Sequence, residues 1–173
     1  YVPTLVGGGL SADEQLGQKR ARALAVLLLS LPGATYVYNG QELGLPNVND
    51  LPDEVLQDPI FFRTKGENRG RDGCRIPMPW SGDSAPYGFS STAKTWLPMP
   101  NNWAQYTVET QAQLPDSSLN LYRLLIALRK QHPTLRHGRI SVLGWTNEVL
   151  KVRINDDNAA FEVWLNFGNE NVE

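Results

Sequence analysis

The sequence predicts an α/β chain built from two unlike parts, and three observations carry that reading. A capped helix runs through a Pro32-Gly33 stop into a short β-branched and aromatic run, which is half of a parallel β/α unit. After Pro133 the apolar period changes from 3.6 to 2, the mark of strands with one buried face. Between these parts, Leu45 to Pro100 holds most of the prolines and reads as one long loop, a length that points to function. A boundary near residue 135 divides the chain into 1–134 and 135–173.

Each element has its own signal. Gly7-Gly8-Gly9 reads as a flexible loop, because Pro3 breaks the apolar run before it and no Lys-Ser/Thr pair comes after it. In "LSADEQLGQKRARALAVLLLSLPG", Ser11 and Glu14 form a capping box and Pro32-Gly33 ends the helix. The second half, Ala23 to Leu29, is apolar nearly all round, as in a helix covered on more than one side. Thr35 to Tyr38, bounded by Gly33 and Gly40, predict a short buried strand. A buried parallel strand needs neighbours, and no other buried strand precedes residue 135. The chain also opens on Tyr1-Val2-Pro3 without a methionine, so it is expected to be part of a longer protein.

Two helices are expected after the loop. Asn101 to Gln113 would be capped by Asn101 or Asn102. "DSSLNLYRLLIALRKQHP" would be capped by Asp116 or Ser117, with Leu121, Leu124, Leu125 and Leu128 on one face. The predicted strands are Arg139–Trp145, Val149–Ile154 and Ala159–Phe167, with a turn at Asn155 to Asn158. In the last strand Phe161, Val163, Leu165 and Phe167 share a side. Three strands are too few for a closed sandwich.

Composition excludes several classes. With 173 residues, 41% hydrophobic content and a net charge of −2, the chain is globular and not a nucleic-acid binder. Cys74 is the only cysteine, so there is no disulfide framework, and His132 and His137 are its only partners for a Cys/His metal cluster. No metal or cofactor is expected. A free thiol suits a reducing compartment, so a cytoplasmic location is the expectation. The longest apolar run, Ala21 to Leu31, contains Arg22 and is too short to cross a bilayer. Nothing at Tyr1 resembles a signal peptide.

The chemistry-bearing residues lie near the strand and in the loop. Glu42 comes just after the predicted strand, where it is either a general acid or an acceptor for loop amides. Asp50, Asp53, Glu54 and Asp58 read as solvated loop charges. In "GRDGCRIPMPW", Arg71, Asp72 and Arg75 fall within five residues, and Pro77 and Pro79 stiffen the segment after Arg75. This pattern is either an ion-pair cluster that pins the loop or a guanidinium fork aimed at ligand oxygens and oriented by Asp72. Stiffness favours the second, because a site must be positioned before its ligand arrives. Trp80, Trp96 and Trp103 add flat faces that stack on sugars or fill a core.

These segments resemble a known family. "LPGATYVYNGQELGLPNV" is similar to the eighth barrel strand and adjoining loop of glycoside hydrolase family 13. "GRDGCRIPMPW" resembles the Arg-Asp-Asn-Ala-Arg-Thr-Pro-Met-Gln-Trp segment of its α-glucosidase and oligo-1,6-glucosidase branch, and the order "LPDE…QDP…FRTKG…GRDGCR" resembles actinobacterial-type α-glucosidases. The resemblance covers about residues 10 to 170. It implies the end of a (β/α)8 TIM barrel in 1–134 and the start of an antiparallel all-β domain in 135–173. It also implies retaining hydrolysis by two carboxylates about 5 Å apart. Those carboxylates, and a third stabilising aspartate, belong to earlier strands of the family fold. The chain itself is therefore expected to hold no catalytic residue, to be inactive alone and to need the missing N-terminal part of the barrel. Arg75 corresponds to the family's arginine for a terminal-glucose hydroxyl, with Asp72 and Arg71 as substrate-binding neighbours. Glu42 corresponds to a supporting glutamate. Asn39-Gly40-Gln41 departs from the family's Gln-Gly-Glu. The implied substrate is an α-gluco-oligosaccharide or disaccharide, with no membrane or nucleic-acid partner. Sibling activities are trehalose synthase and sucrose isomerase. From another class come non-catalytic transporter subunits of the same fold.

Overall fold

The computed structural model describes Pro3 and residues 13–168. In chain order the described elements are α1 (Glu14–Ser30), α2 (Pro59–Arg63), α3 (Val108–Gln113), α4 (Ser118–Gln131), α5 (Thr134–His137), β1 (Arg139–Thr146), β2 (Val149–Asn155) and β3 (Ala160–Asn166). The triglycine and Ser11 lie outside the described residues. At the observed start of α1 the cap is Asp13, whose carboxylate accepts the Leu16 N–H at 2.9 Å, and not the expected Ser11. A residue nearer the first turn holds the orphan amides, so the capping-box reading placed the start two residues early.

The near-continuous apolar character of α1 has a direct cause. Ala25 and Leu29 pack with Tyr122 of α4, while Ala23, Val26 and Leu27 lie against Val152, Ile154, Val163 and Leu165 of the sheet. One helix is sandwiched between a helix and a sheet. Carbonyls at and beyond its C-terminus are collected by one side chain: Arg129 of α4 donates to Leu29 at 3.1 Å, Leu31 at 2.7 Å and Gly33 at 2.5 Å, and also to Leu135 of α5 at 2.6 Å. This single guanidinium joins the end of α1 to the start of the β segment.

The expected strand at Thr35 to Tyr38 forms no ladder among the described residues, and it is not buried. Tyr36 is 85% exposed, and Val37 and Tyr38 are also open. Strand propensity without a paired neighbour does not make a strand. The leucine face foreseen on α4 is corrected too. Leu119 and Tyr122 are its buried residues, whereas Leu124 and Leu128 are exposed. Ser117 caps α4 by accepting the Asn120 N–H at 3.1 Å. The expected Asn101–Gln113 helix is instead a 3-10 turn at Ala104–Tyr106 leading into α3, which Thr107 caps.

Residues 45–100 are not a bare loop. They fold around a core shared with the flanking residues, in which Leu51, Leu56, Met78, Tyr87 and Leu97 are buried together with Leu43, Trp103, Tyr106 and Leu119. The Tyr87 hydroxyl donates to the Pro100 carbonyl at 2.9 Å and accepts the Trp103 N–H at 3.1 Å, so the centre of this unit is also hydrogen-bonded. The sheet has the order β1-β2-β3, antiparallel throughout. Asn147 and Glu148, both at positive φ, turn β1 into β2 as in a two-residue hairpin. Asp156 accepts the Asn158 and Ala159 N–H groups to turn β2 into β3.

Candidate functional site

The site is assembled from three stretches of the 45–100 unit. Asp58 precedes Pro59 and caps α2, accepting the Ile60 N–H at 3.0 Å on Oδ1. Its Oδ2 accepts the Arg71 N–H at 3.0 Å and Nη1 of Arg75 at 2.9 Å. Asp72, in a 3-10 turn at Asp72–Cys74, is only 2% exposed. It takes the Gln57 and Asp58 N–H groups on Oδ2, at 2.5 and 2.8 Å, and Nη1 of Arg75 on Oδ1 at 3.2 Å. Two carboxylates from different segments thus meet one guanidinium nitrogen.

The geometry leaves part of the guanidinium unused. Both ion pairs engage Nη1 of Arg75, and its side chain is 38% exposed. Arginine carries five N–H donors in a planar fork, and among the described residues neither ion pair uses Nη2 or Nε. The residue borders an open cleft of about 440 Å³ lined by Asp58, Ile60, Arg63, Asn68, Arg71 and Arg75. The backbone of Arg75 is fixed as well: its N–H donates to the Asp72 carbonyl at 2.8 Å, and its carbonyl accepts the Trp96 indole N–H at 2.8 Å. Gly70 permits the close approach. At φ +70°, a Cβ there would lie 2.5 Å from the Asp58 Cβ.

Electrostatics agree with the contacts. The Asp58 carboxyl is held below its ordinary range by the Ile60 and Arg71 backbone N–H groups, with the Arg75 guanidinium adding to them. Burial works against the charge on Arg75, but hydrogen bonds to Asp72 and Asp58 more than offset it and its pKa is raised.

The sequence reading of Asp58 as a solvated charge is overturned. It is 8% exposed and is the nearer partner of Arg75. The missed signal is Asp58-Pro59, an N-cap residue with proline at the first helical position. Asp53 is the surface charge it was read as, pairing with Arg69. Arg71 contributes its backbone N–H, while its side chain is exposed at the cleft. Trp103 is core, whereas Trp80 and Trp96 are about half exposed.

Glu42 occupies a separate 3-10 turn, Gln41–Leu43. Its Oε2 is buried without a hydrogen-bond partner among the described residues. The Tyr122 hydroxyl has its pKa raised by burial, with the charge of Glu42 adding to the effect. The two motif segments nevertheless touch: Val48 N–H donates to the Gly73 carbonyl at 3.0 Å, and the Tyr38 hydroxyl lies 3.9 Å from Cys74 Sγ. No group of three or more His, Cys, Asp or Glu residues among the described ones is placed to hold a metal ion. No helix among them is long and apolar enough to cross a membrane.

A guanidinium fork braced by two aspartates at the edge of a cleft can present donors to ligand oxygens. Residues 6–138 match the alpha amylase catalytic domain. The chain belongs to the alpha-amylase family, glycoside hydrolase family 13, in its α-glucosidase and oligo-1,6-glucosidase branch. It is 42% identical over 120 residues to a probable alpha-glucosidase of Rhizobium meliloti, covering 69% of this chain and 21% of that protein. To an oligo-1,6-glucosidase of Parageobacillus thermoglucosidasius it is 28% identical over 175 residues, covering 91% and 29%. Among solved structures, an alpha-glucosyl transfer enzyme superposes with a TM-score of 0.77 at 35% identity, covering 92% of this chain and 28% of that one. An isomaltulose synthase mutant from Erwinia rhapontici NX5, in complex with sucrose, gives 0.78 at 26%, covering 97% and 33%. The chain thus spans between a fifth and a third of the length of these relatives.

Proposed function

We propose that the chain is the C-terminal portion of a retaining α-glucosidase that removes terminal α-linked glucose from oligosaccharides or disaccharides. In this reading, residues 1–134 complete a (β/α)8 barrel and 135–173 begin its β domain. The observation that carries it is the half-used Arg75 fork, pinned at Nη1 by Asp58 and Asp72, with Nη2 and Nε in neither ion pair and the part-exposed residue lining a cleft. Such a fork matches paired sugar hydroxyls better than a mobile lysine would. Arg71 lines the same cleft, and Glu42 supports the neighbouring turn. The reacting nucleophile and acid/base belong to other parts of the complete enzyme, so this chain provides binding and not bond cleavage.

A second reading, transfer or isomerisation of the glucosyl group, is favoured by the alpha-glucosyl transfer enzyme and isomaltulose synthase neighbours. Both readings share Arg75 and differ in what accepts the glucosyl unit. The test incubates the complete protein with maltose, isomaltose and sucrose and identifies products by NMR. Free glucose released first as the α-anomer supports retaining hydrolysis. New glucosides or isomerised disaccharides in place of glucose support transfer. No turnover of any α-glucoside by the complete protein overturns both. The 173-residue chain alone is expected to release no 4-nitrophenol from 4-nitrophenyl α-glucoside.

A further inference from the structure

A half-exposed tryptophan whose N–H is aimed at a backbone carbonyl of the binding residue is an unusual use of a large apolar side chain. Trp96 is 53% exposed, so filling a core is not its main work. Its indole N–H donates to the Arg75 carbonyl at 2.8 Å, and its own carbonyl accepts Nε2 of Gln57 at 2.8 Å. The Gln57 backbone N–H donates to Asp72, and Asp72 accepts from the Arg75 guanidinium. The contacts close a ring from the Arg75 backbone through Trp96, Gln57 and Asp72 back to the Arg75 side chain. Phe89 meets the Trp96 ring edge-on, with centroids 4.9 Å apart, and Leu97 anchors the next position in the core.

We infer that Trp96 is a positioning residue for Arg75, fixing the backbone from which the guanidinium reaches the sugar, with Gln57 as the link that couples it to Asp72. The inference rests on the reading of Arg75 as the sugar-binding arginine. Its physical basis is that a side chain has a fixed reach only from a fixed Cα. The Asp58 and Asp72 contacts hold the far end of Arg75, the Asp72 carbonyl holds its N–H, and the indole holds its carbonyl. Removing the indole donor leaves that carbonyl to solvent. The protein should then lose little stability, while the guanidinium samples a wider arc.

The test is a double-mutant cycle in the complete enzyme. Trp96→Phe keeps an aromatic ring beside Phe89 while deleting the donor and part of the ring area. It should lower kcat/KM about three- to tenfold, the size of one neutral hydrogen bond, mainly through kcat. In an Arg75→Ala background the same substitution should change kcat/KM by less than about twofold, because its route to the substrate is gone. Gln57→Ala, at an exposed position that tolerates truncation, should repeat the pattern at smaller size and serves if Trp96→Phe does not fold. An equal loss in both backgrounds, or no loss in the parent, overturns the inference and leaves the role of Arg75 intact. If Arg75→Ala by itself leaves kcat/KM unchanged, the binding reading fails, and the inference fails with it.

Discussion

Replacing Arg75 with alanine in the complete enzyme separates a binding arginine from one that only braces its loop. The structure argues that the loop survives the change. Asp72 keeps the Gln57 and Asp58 N–H groups, and Asp58 keeps those of Ile60 and Arg71. Both carboxylates keep backbone N–H donors, but Asp72 is buried and loses the countercharge at its Oδ1, so the thermal midpoint should fall. The effect on binding is therefore read on the folded fraction. In the proposed reading Nη2 and Nε donate to uncharged sugar hydroxyls, so binding should suffer, since a hydrogen bond involving one charged group contributes roughly 1.5–3 kcal/mol. One such bond lost in the transition state lowers kcat/KM about ten- to a hundredfold. Steady-state kinetics on maltose, with the folded fraction measured by circular dichroism, gives the comparison. Arg75→Lys should recover little, since an ammonium cannot span the fork, and Arg71→Ala should cost less than Arg75→Ala. A large fall in thermal midpoint with kcat/KM of the folded fraction unchanged would refute the reasoning and leave Arg75 as a loop brace.

Three further outcomes are expected. Asp58 has its pKa depressed below the ordinary 3.8, so its stabilising contribution is present above that pH and is lost as pH falls through the depressed value. Amide exchange in residues 57–75 should stay slow down to about pH 4 and rise below it, and Asp58→Asn should remove that acid limb; an acid limb that persists unchanged in Asp58→Asn argues against the assignment. Arg129→Ala strands the carbonyls of Leu29, Leu31, Gly33 and Leu135 and should destabilise the complete protein by roughly 2–4 kcal/mol in urea unfolding, whereas a change within error would show that water replaces the guanidinium. Produced alone, the chain exposes Tyr36, Val37, Tyr38, Val142 and Trp145 and should bind a hydrophobic dye, an effect that co-expression with the rest of the enzyme should reverse; a dye-silent, monodisperse chain would count against that.

The features legible in the sequence are those that depend on neighbours along the chain. The strands after Pro133 alternate, so β1, β2 and β3 begin and end within a residue or so of their predicted bounds. The helix from Glu14 to Ser30 was legible for the same reason, its stop more than its cap. The features that failed depend on contacts the pattern cannot carry. Thr35 to Tyr38 have strand-forming side chains, but a strand is a relation between two segments, and no ladder forms there among the described residues. Asp58 was misread because an acidic residue in a proline-rich stretch is usually solvated. Its burial comes from Gly70, Arg71 and Arg75, twelve to seventeen positions later. The long loop failed in a more instructive way. Its hydrophobic residues, Leu51, Leu56, Ile76, Met78, Tyr87 and Leu97, have neither a period of 2 nor one of 3.6, because prolines and glycines reset the chain direction every few residues. Spacing could not reveal a core, yet these side chains make one. That core is why a segment without long helices or strands can hold Asp58, Asp72, Arg75 and Trp96 in one connected set of hydrogen bonds. Arg75 on such a unit is held by packing beneath the loop as well as by the stiffness of Pro77 and Pro79.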